Sequence, residues 1–505
     1  SSKELVLKGV NAQLAQAKAQ GEGSIIFGAS PLFAVNVKAQ GKVAEVFKIY
    51  PAWRPKGLEA DGWARADFSF QGTAKALRIT GTADLEKGRV FHPSLGSPIE
   101  GIQGRVAVDQ NKITLSNLQG QWYGGSFTIE EGYLSSPLSV PRGKATVAIH
   151  SLELPGGLAA QEGKATVRFN NRKLWLDEAS VALAGGELTG FGLLDLEGSK
   201  PLWQSQLSAE GLDLANLEGL IKEQYATIPS LAGKVSGTIV AKGQSFSTET
   251  IEASAQLAMG PTAVGQIAFS AADANLLWDG QHLQLGYLNL TQQEGTLSVA
   301  GSLDPRSLEL SVVGKELPVE PWTKLALPKE EIGGKLNIVG QVQGEAQNPK
   351  LIAQVELLAG QIRGQKIQMA QGKISFADRL LATPGFTVRS QGAIHQLQGS
   401  IATGKEKDLD LKWQLQEEKL ERVMKLAGIT QPIAGNVAGE IQLTGTLPKV
   451  KASGMINVLE GKVAKQAFSR GSFFFQSQGD DIILERAILE QDGSRLAARG
   501  KIGGD

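Results

Sequence analysis

A three-residue phrase recurs in this chain at constant spacing: Leu231-Ala232-Gly233, Ile332-Gly333-Gly334 and Ile433-Ala434-Gly435. The two separations, 332 − 231 and 433 − 332, are both 101 residues. A proline precedes each copy (Pro229, Pro328, Pro432), and Ala60-Asp61-Gly62, after Pro55, opens a weaker fourth. Twelve residues beyond each start stands a glycine (Gly72, Gly243, Gly344, Gly445), and sixteen or seventeen further another (Gly88, Gly260, Gly360, Gly461). A fixed period of this length marks an array of one supersecondary module whose copies bury their apolar faces against their neighbours.

Each phrase is followed by strict alternation. One face of the four strands carries Ala64, Ala66, Phe68 and Phe70; Val235, Gly237, Ile239 and Ala241; Leu336, Ile338, Gly340 and Val342; and Val437, Gly439, Ile441 and Leu443. The other face is mostly polar, with Arg65 and Asp67, Lys234 and Thr238, Lys335 and Asn337, and Asn436 and Glu440 among its members. A following strand repeats the pattern with Ala255 and Leu257, Val355 and Leu357, and Ile456 and Val458. A period of two with one dry and one wet face predicts antiparallel sheet.

Short helices are expected at the module ends. Val43, Val46, Phe47 and Tyr50 follow helical spacing, as do Leu214, Leu217 and Ile221; Val319, Trp322 and Leu325; and Leu420, Val423, Met424 and Ala427. The proline after each stops the helix, because it lacks the N–H and forces its predecessor out of α space. The divisions that follow are 1–62, a truncated module end with its junction helix; 63–233, one and a partial module; 234–334 and 335–435, one module each; and 436–505, a truncated last module.

Composition narrows the function classes. Glycine makes up 61 of 505 residues, about 12% where ~7% is usual, and aromatics are 6%, which suits many short strands over a thin apolar layer. Lys plus Arg and Asp plus Glu number 51 each, leaving no net field to draw in nucleic acid. With no cysteine the compartment is left open. The four histidines, His92, His150, His282 and His395, are scattered without metal spacing and read as surface or strand-end residues. Adjacent carboxylates such as Glu417-Glu418 read as solvated turns, since neighbours in a strand point to opposite faces. No glycine loop has the partners needed to cradle a phosphate. Nothing here points to an enzyme or a cofactor. The opening Ser1-Ser2-Lys3-Glu4 reads as the start of a piece excised from a longer chain.

Five or six strands with one small helix per module leave a wide apolar face to account for. Its Ala and Gly positions give it too little volume to fill a close-packed interior. Modules joined edge to edge make a ribbon that twist coils into a gutter, apolar within and polar without. A slot of that kind fits an acyl chain, each buried CH₂ contributing about 0.8 kcal/mol.

The order of helix, proline, phrase and strand, followed by Gly445-Thr446-Leu447-Pro448-Lys449-Val450 and by Gly344-Glu345-Ala346-Gln347-Asn348-Pro349-Lys350-Leu351, resembles the AsmA-like superfamily, particularly its TamB branch. The likeness spans nearly the whole chain through short motifs. It implies a mostly β fold, an elongated repeating β-groove of taco-like curled antiparallel sheet, similar in architecture to the eukaryotic bridge-like lipid transfer proteins. It also implies the periplasmic part of an inner-membrane-anchored envelope protein in a two-membrane bacterium, partnered by inner- and outer-membrane proteins at its ends. The expected function is non-enzymatic transport of phospholipids, whose acyl chains are the expected ligand. The rival expectations are a chaperone for outer-membrane β-barrel chains, binding them by strand addition, and a passive elongated spacer.

Overall fold

A computed structural model describes residues 3–14, 16–45, 57, 59–73, 75–91, 97–136, 140–154, 158–197, 200–224, 229–244, 248–304, 307–326, 331–345, 348–362, 364–403, 407–426, 433–447, 449–463, 466–478 and 481–502. They form 31 strands, β1–β31 in chain order, in one antiparallel sheet that is not closed into a barrel, with short helices at the module junctions. This is the repeating β-groove architecture expected. Contacts divide it into two compact units, one of Ser1–Gly260 with Asn275–Gln281 and the other of Pro261–Ala274 with His282–Asp505.

The phrase itself opens a strand in each full copy: β14 (Leu231–Gln244), β21 (Ile332–Glu345) and β27 (Ile433–Thr446). In the weaker copy it lies at the start of β4 (Glu59–Thr73). From Ile332 the module runs six strands, ending with β26 (Asp408–Lys419), before its helix. From β4 to the next helix among the described residues run ten strands, β4 included, the last being β13 (Leu202–Asp213). Within that stretch β9 (Arg142–Leu154) and β10 (Leu158–Asn170) each carry Gly-Lys-Ala-Thr-Val, and the two copies pair with each other, Thr146 opposite Thr166 and Val147 opposite Ala165.

The periodic glycines have a common cause. Gly62, Gly233, Gly334 and Gly435 have φ of 130°, 127°, 133° and 147°, a conformation that side chains other than hydrogen resist. At Gly62, Gly334 and Gly435 the register slips by a bulge, between Asp61 and Trp63, Gly333 and Lys335, and Ala434 and Asn436. A Cβ there would fall 2.6, 2.9 and 3.0 Å from the Cα of Gly88, Gly360 and Gly461 respectively. Both glycines of each pair are therefore needed for one close approach of backbone to backbone.

A second bulge precedes each of the three later junction helices. Gly211, Glu316 and Glu417 take φ of 64°, 49° and 55° where the register slips near the end of β13, of β20 (Leu308–Pro318) and of β26. Side chains of the next strand satisfy two of these bulges: Gly211 N donates to Ser236 Oγ and Glu316 N to Asn337 Oδ1, both at 2.9 Å. After these bulges come the helices α1 (Leu214–Gln224), α2 (Glu320–Ala326) and α3 (Leu420–Leu426). Asp213 Oδ1 accepts the Ala215 N–H at 2.9 Å and caps α1. Of the first predicted helix, residues 43–45 are helical. Val46, Phe47, Tyr50, Ala427, Pro55, Pro328, Pro432 and His92 lie outside the described residues.

Each helix lies on the inner, apolar face. Leu214 and Leu217 of α1 join Val235, Leu257, Met259 and the buried Leu152, Ala160, Leu183, Ala209 and Leu212. Leu420 and Val423 of α3 join Leu415, Val437, Val458 and Phe468. Burying side chains of this size contributes roughly 1.5–3 kcal/mol each, which a seven-residue helix needs, being far too short to form alone. In α2 the anchor is Trp322, whose ring meets Phe269 edge-on at 6.4 Å and whose Nε1–H donates to Gln292 Oε1 at 3.1 Å. Trp322→Phe leaves that carbonyl, on a residue only 5% exposed, without its donor. The expected cost is about 1–3 kcal/mol, read as faster amide exchange across residues 320–326.

Candidate functional site

Register sets most of the residues expected to line the groove opposite small or apolar partners. In the first unit Phe68 faces Val37, Phe70 faces Val35, Ala66 faces Ala39 and Ala64 faces Gly41 across β3 (Leu32–Lys42) and β4, and Ile239 faces Leu207. In the second unit Leu336 faces Leu357, Ile338 faces Val355 and Val342 faces Leu351 across β21 and β22 (Asn348–Ile362). Further on Val437 faces Val458, Leu443 faces Ala452 and Ile441 faces Gly454.

Burial separates these positions into two groups. Val235, Val355, Val437, Ile441 and Val458 are below a tenth exposed, at 5%, 7%, 1%, 6% and 0%. Ala64, Ala66, Phe68, Phe70, Ile239, Ala241, Ala255, Leu257, Leu336, Ile338, Val342, Leu357, Leu443 and Ile456 remain half-buried, in contact with solvent along the open face. The expectation of an uninterrupted open lining is corrected at the phrase end of the strands. There the junction helix sits on Val235 in one unit and on Val437 and Val458 in the other. The helix leaves the strand that pairs with the phrase strand, so its apolar side has to land on the first inward residues after the phrase.

The outer face is mostly polar and is cross-linked by ion pairs, such as Arg105 with Asp84 at 2.7 Å and Arg168 with Asp177 at 2.8 Å. The hydrogen bonds from these guanidiniums hold both carboxyls below the usual aspartate value. Exposed pairs of this kind add little stability but keep that face wet.

In the second unit the inner face deepens into a cavity of about 530 Å³ with an almost wholly apolar lining. Its wall combines Leu420, Val423 and Met424 of α3 with Ile433, Val437, Ile441 and Leu443 of β27. Ile456, Phe473, Phe475 and Leu484 of the strands that follow complete it, with Trp413 and Leu415 on the opposite side. Four of the expected lining residues, Val437, Ile441, Leu443 and Ile456, are thus brought together, while Val458 lies in the packed layer beside them. The aromatic part of the wall was not expected. Its signal is the run Phe473-Phe474-Phe475, in which alternation turns the first and third rings inward.

Beside Trp413 is a buried polar cluster that corrects two expectations. His395 lies near the start of its strand, as a strand-end residue would, but is 8% exposed and not on the surface, and Glu418, 3% exposed, is not the solvated-turn residue anticipated. His395 Nε2 lies 3.0 Å from Glu418 Oε2, and Trp413 Nε1–H donates to His395 Nδ1 at 3.2 Å. Glu418 Oε1 accepts the Lys419 N–H at 2.6 Å and has Arg422 Nε 2.7 Å away, an ion pair in which the N–H is not aimed at the oxygen. Arg422 also donates from a terminal nitrogen to Gln391. The bulge at Glu417 causes the difference, since the extra residue turns Glu418 onto the inner face. Burial is the main influence on His395 and, against the pull of Glu418, holds it below the ordinary histidine pKa.

Among the described residues no group of three or more His, Cys, Asp or Glu side chains is placed to hold a metal, and no helix is long and apolar enough to cross a membrane. Comparison with protein-family models, curated proteins and solved structures finds no match to this chain.

Proposed function

We propose that this chain is a non-enzymatic lipid carrier whose apolar inner faces hold the acyl chains of phospholipids on their way between two membranes across the periplasm. One observation carries the reading: the inward side chains of successive strands are apolar yet half-exposed, and in the second unit they widen into a cavity of about 530 Å³ with no charged group in its lining. Exposed apolar surface costs about 25 cal/mol per Å² in water. A protein that keeps a contiguous stretch of it open gains by covering it with a ligand. A charge-free wall built of repeated strands offers an acyl chain burial at every position and no fixed point of attachment.

Mass spectrometry of organic extracts from the purified chain tests this. Phospholipid recovered in stoichiometric amount, and displaceable by a fluorescent fatty acid, is the expected result. Recovery of lipid-free protein that takes up no fatty acid at micromolar concentration overturns it. If that lipid-free protein binds extended peptides, strand capture replaces it; if it binds neither, the inner face is a spacer's interior.

A further inference from the structure

Helices α2 and α3 occupy equivalent places in consecutive modules but are fastened differently. The contact of α2 with the sheet runs through the Trp322 indole, the Gln292 amide and the Phe269 ring, none of which changes charge near neutrality. That of α3 combines the buried Leu420 and Val423 with a polar part, Arg422, Glu418 and His395, and histidine is the side chain that titrates between pH ~5 and ~8.

The hydrogen-bond directions fix the state of the ring. An indole Nε1–H only donates, so His395 Nδ1, 3.2 Å from it, must accept. The single imidazole proton then sits on Nε2 and points to Glu418 Oε2, 3.0 Å away. A second proton has one place to go, Nδ1, where it meets the indole N–H head-on. The Trp413–His395 bond cannot survive that step. The charged groups facing the ring are Glu418 from β26 and Arg422 from α3. The residues paired with it on the adjoining strands, Val388 on β24 (Leu380–Ser390) and Leu415 on β26, are apolar, so Glu418 is the one carboxylate facing the new charge and already has Arg422 beside it.

We propose that protonation of His395 is a loosening switch for helix α3: the protonated ring loses Trp413 and competes with Arg422 for the Glu418 carboxylate, so the helix is held on the inner face by its apolar side chains alone, while α2, whose polar contact has no titrating group, is unaffected. Because Leu420, Val423 and Met424 form one wall of the cavity, loosening acts on that wall. The sign follows from the direction of the pKa. A histidine held below its ordinary value of 6.5 lends its stabilisation in full above that pH and loses it as pH falls through the depressed value, so the switch works on acidification.

Amide hydrogen exchange on the whole chain, at pH about 7.5 and about 5 and normalised to unstructured peptide rates, tests it. Protection across residues 420–426 is expected to fall about tenfold or more on acidification, and that across 320–326 to change less than about twofold. In His395→Gln the α3 loss should vanish, because the amide presents an acceptor to Trp413 and an N–H to Glu418 at both pH values. An equal loss in both helices, no loss in α3, or a loss that persists in H395Q overturns the proposal. Should H395Q fail to fold, the comparison of the two helices within the native chain decides alone. The measurement contains no lipid, so its outcome is independent of what the cavity carries.

Discussion

Aspartate at Ile239, Ile338 or Ile441 is expected to weaken uptake of a fluorescent fatty acid at that point of the inner face about 100-fold and to stop lipid transfer by the chain. Ile338 sits opposite Val355 with its Cγ2 over Gly314, and Ile441 lies opposite Gly454 in the cavity wall. A carboxylate in either place holds water where about four methylenes of a ligand would have been dry. At roughly 0.8 kcal/mol each that is ~3 kcal/mol, or about two powers of ten in affinity. Ile239 and Ile338 are half-exposed, so their aspartates stay solvated and the fold survives, which circular dichroism checks. Ile441, at 6% exposed, also carries a folding cost of several kcal/mol. Val339→Asp is the control: its side chain is 60% exposed on the outer face of the same strand, and uptake should be unchanged. Native uptake in all three inner-face variants would refute the carrier reading.

Gly435→Val is expected to destabilise the last module by about 2–6 kcal/mol. Valine at φ of 147° is strained by roughly 1–3 kcal/mol, and its Cβ would stand 2.5 Å from Val458 Cγ1 and 3.0 Å from the Gly461 Cα, a clash with backbone that adds a similar amount. Gly385→Ala provides the contrast, because that glycine has ordinary φ and open space around its Cα. There alanine should be neutral or stabilising by up to about 1 kcal/mol, through the unfolded chain. Limited proteolysis across residues 433–463 distinguishes the two outcomes; equal resistance in both variants would show the paired glycines to be incidental.

Much of this architecture is legible in the one-dimensional pattern. Alternation such as Leu336, Ile338, Gly340, Val342 marks the less exposed face of its strand, because a strand has only two faces and a one-residue slip would turn every apolar group to water. Local i, i+3, i+4 spacing finds α1, α2 and α3. What could not be read is which inward residues stay open. Val437 and Leu443 look alike in the sequence, yet one is 1% exposed beneath α3 and the other is half-exposed in the wall. His395 and Glu418 stand 23 positions apart (418 − 395) and meet only because β25 (Ala393–Ala402) pairs with β26 and a bulge at Glu417 turns the carboxylate inward.

The order and kind of the elements were therefore written in the chain by the period of its apolar residues and glycines, which act locally through φ, ψ and the pleat. The long-range consequences were left to the tertiary structure: helices landing on the inner face, an apolar cavity under α3, and a histidine between an indole and a carboxylate. These depend on where bulges shift the register and on which side chains from distant strands then compete for the same space, and no local periodicity encodes that.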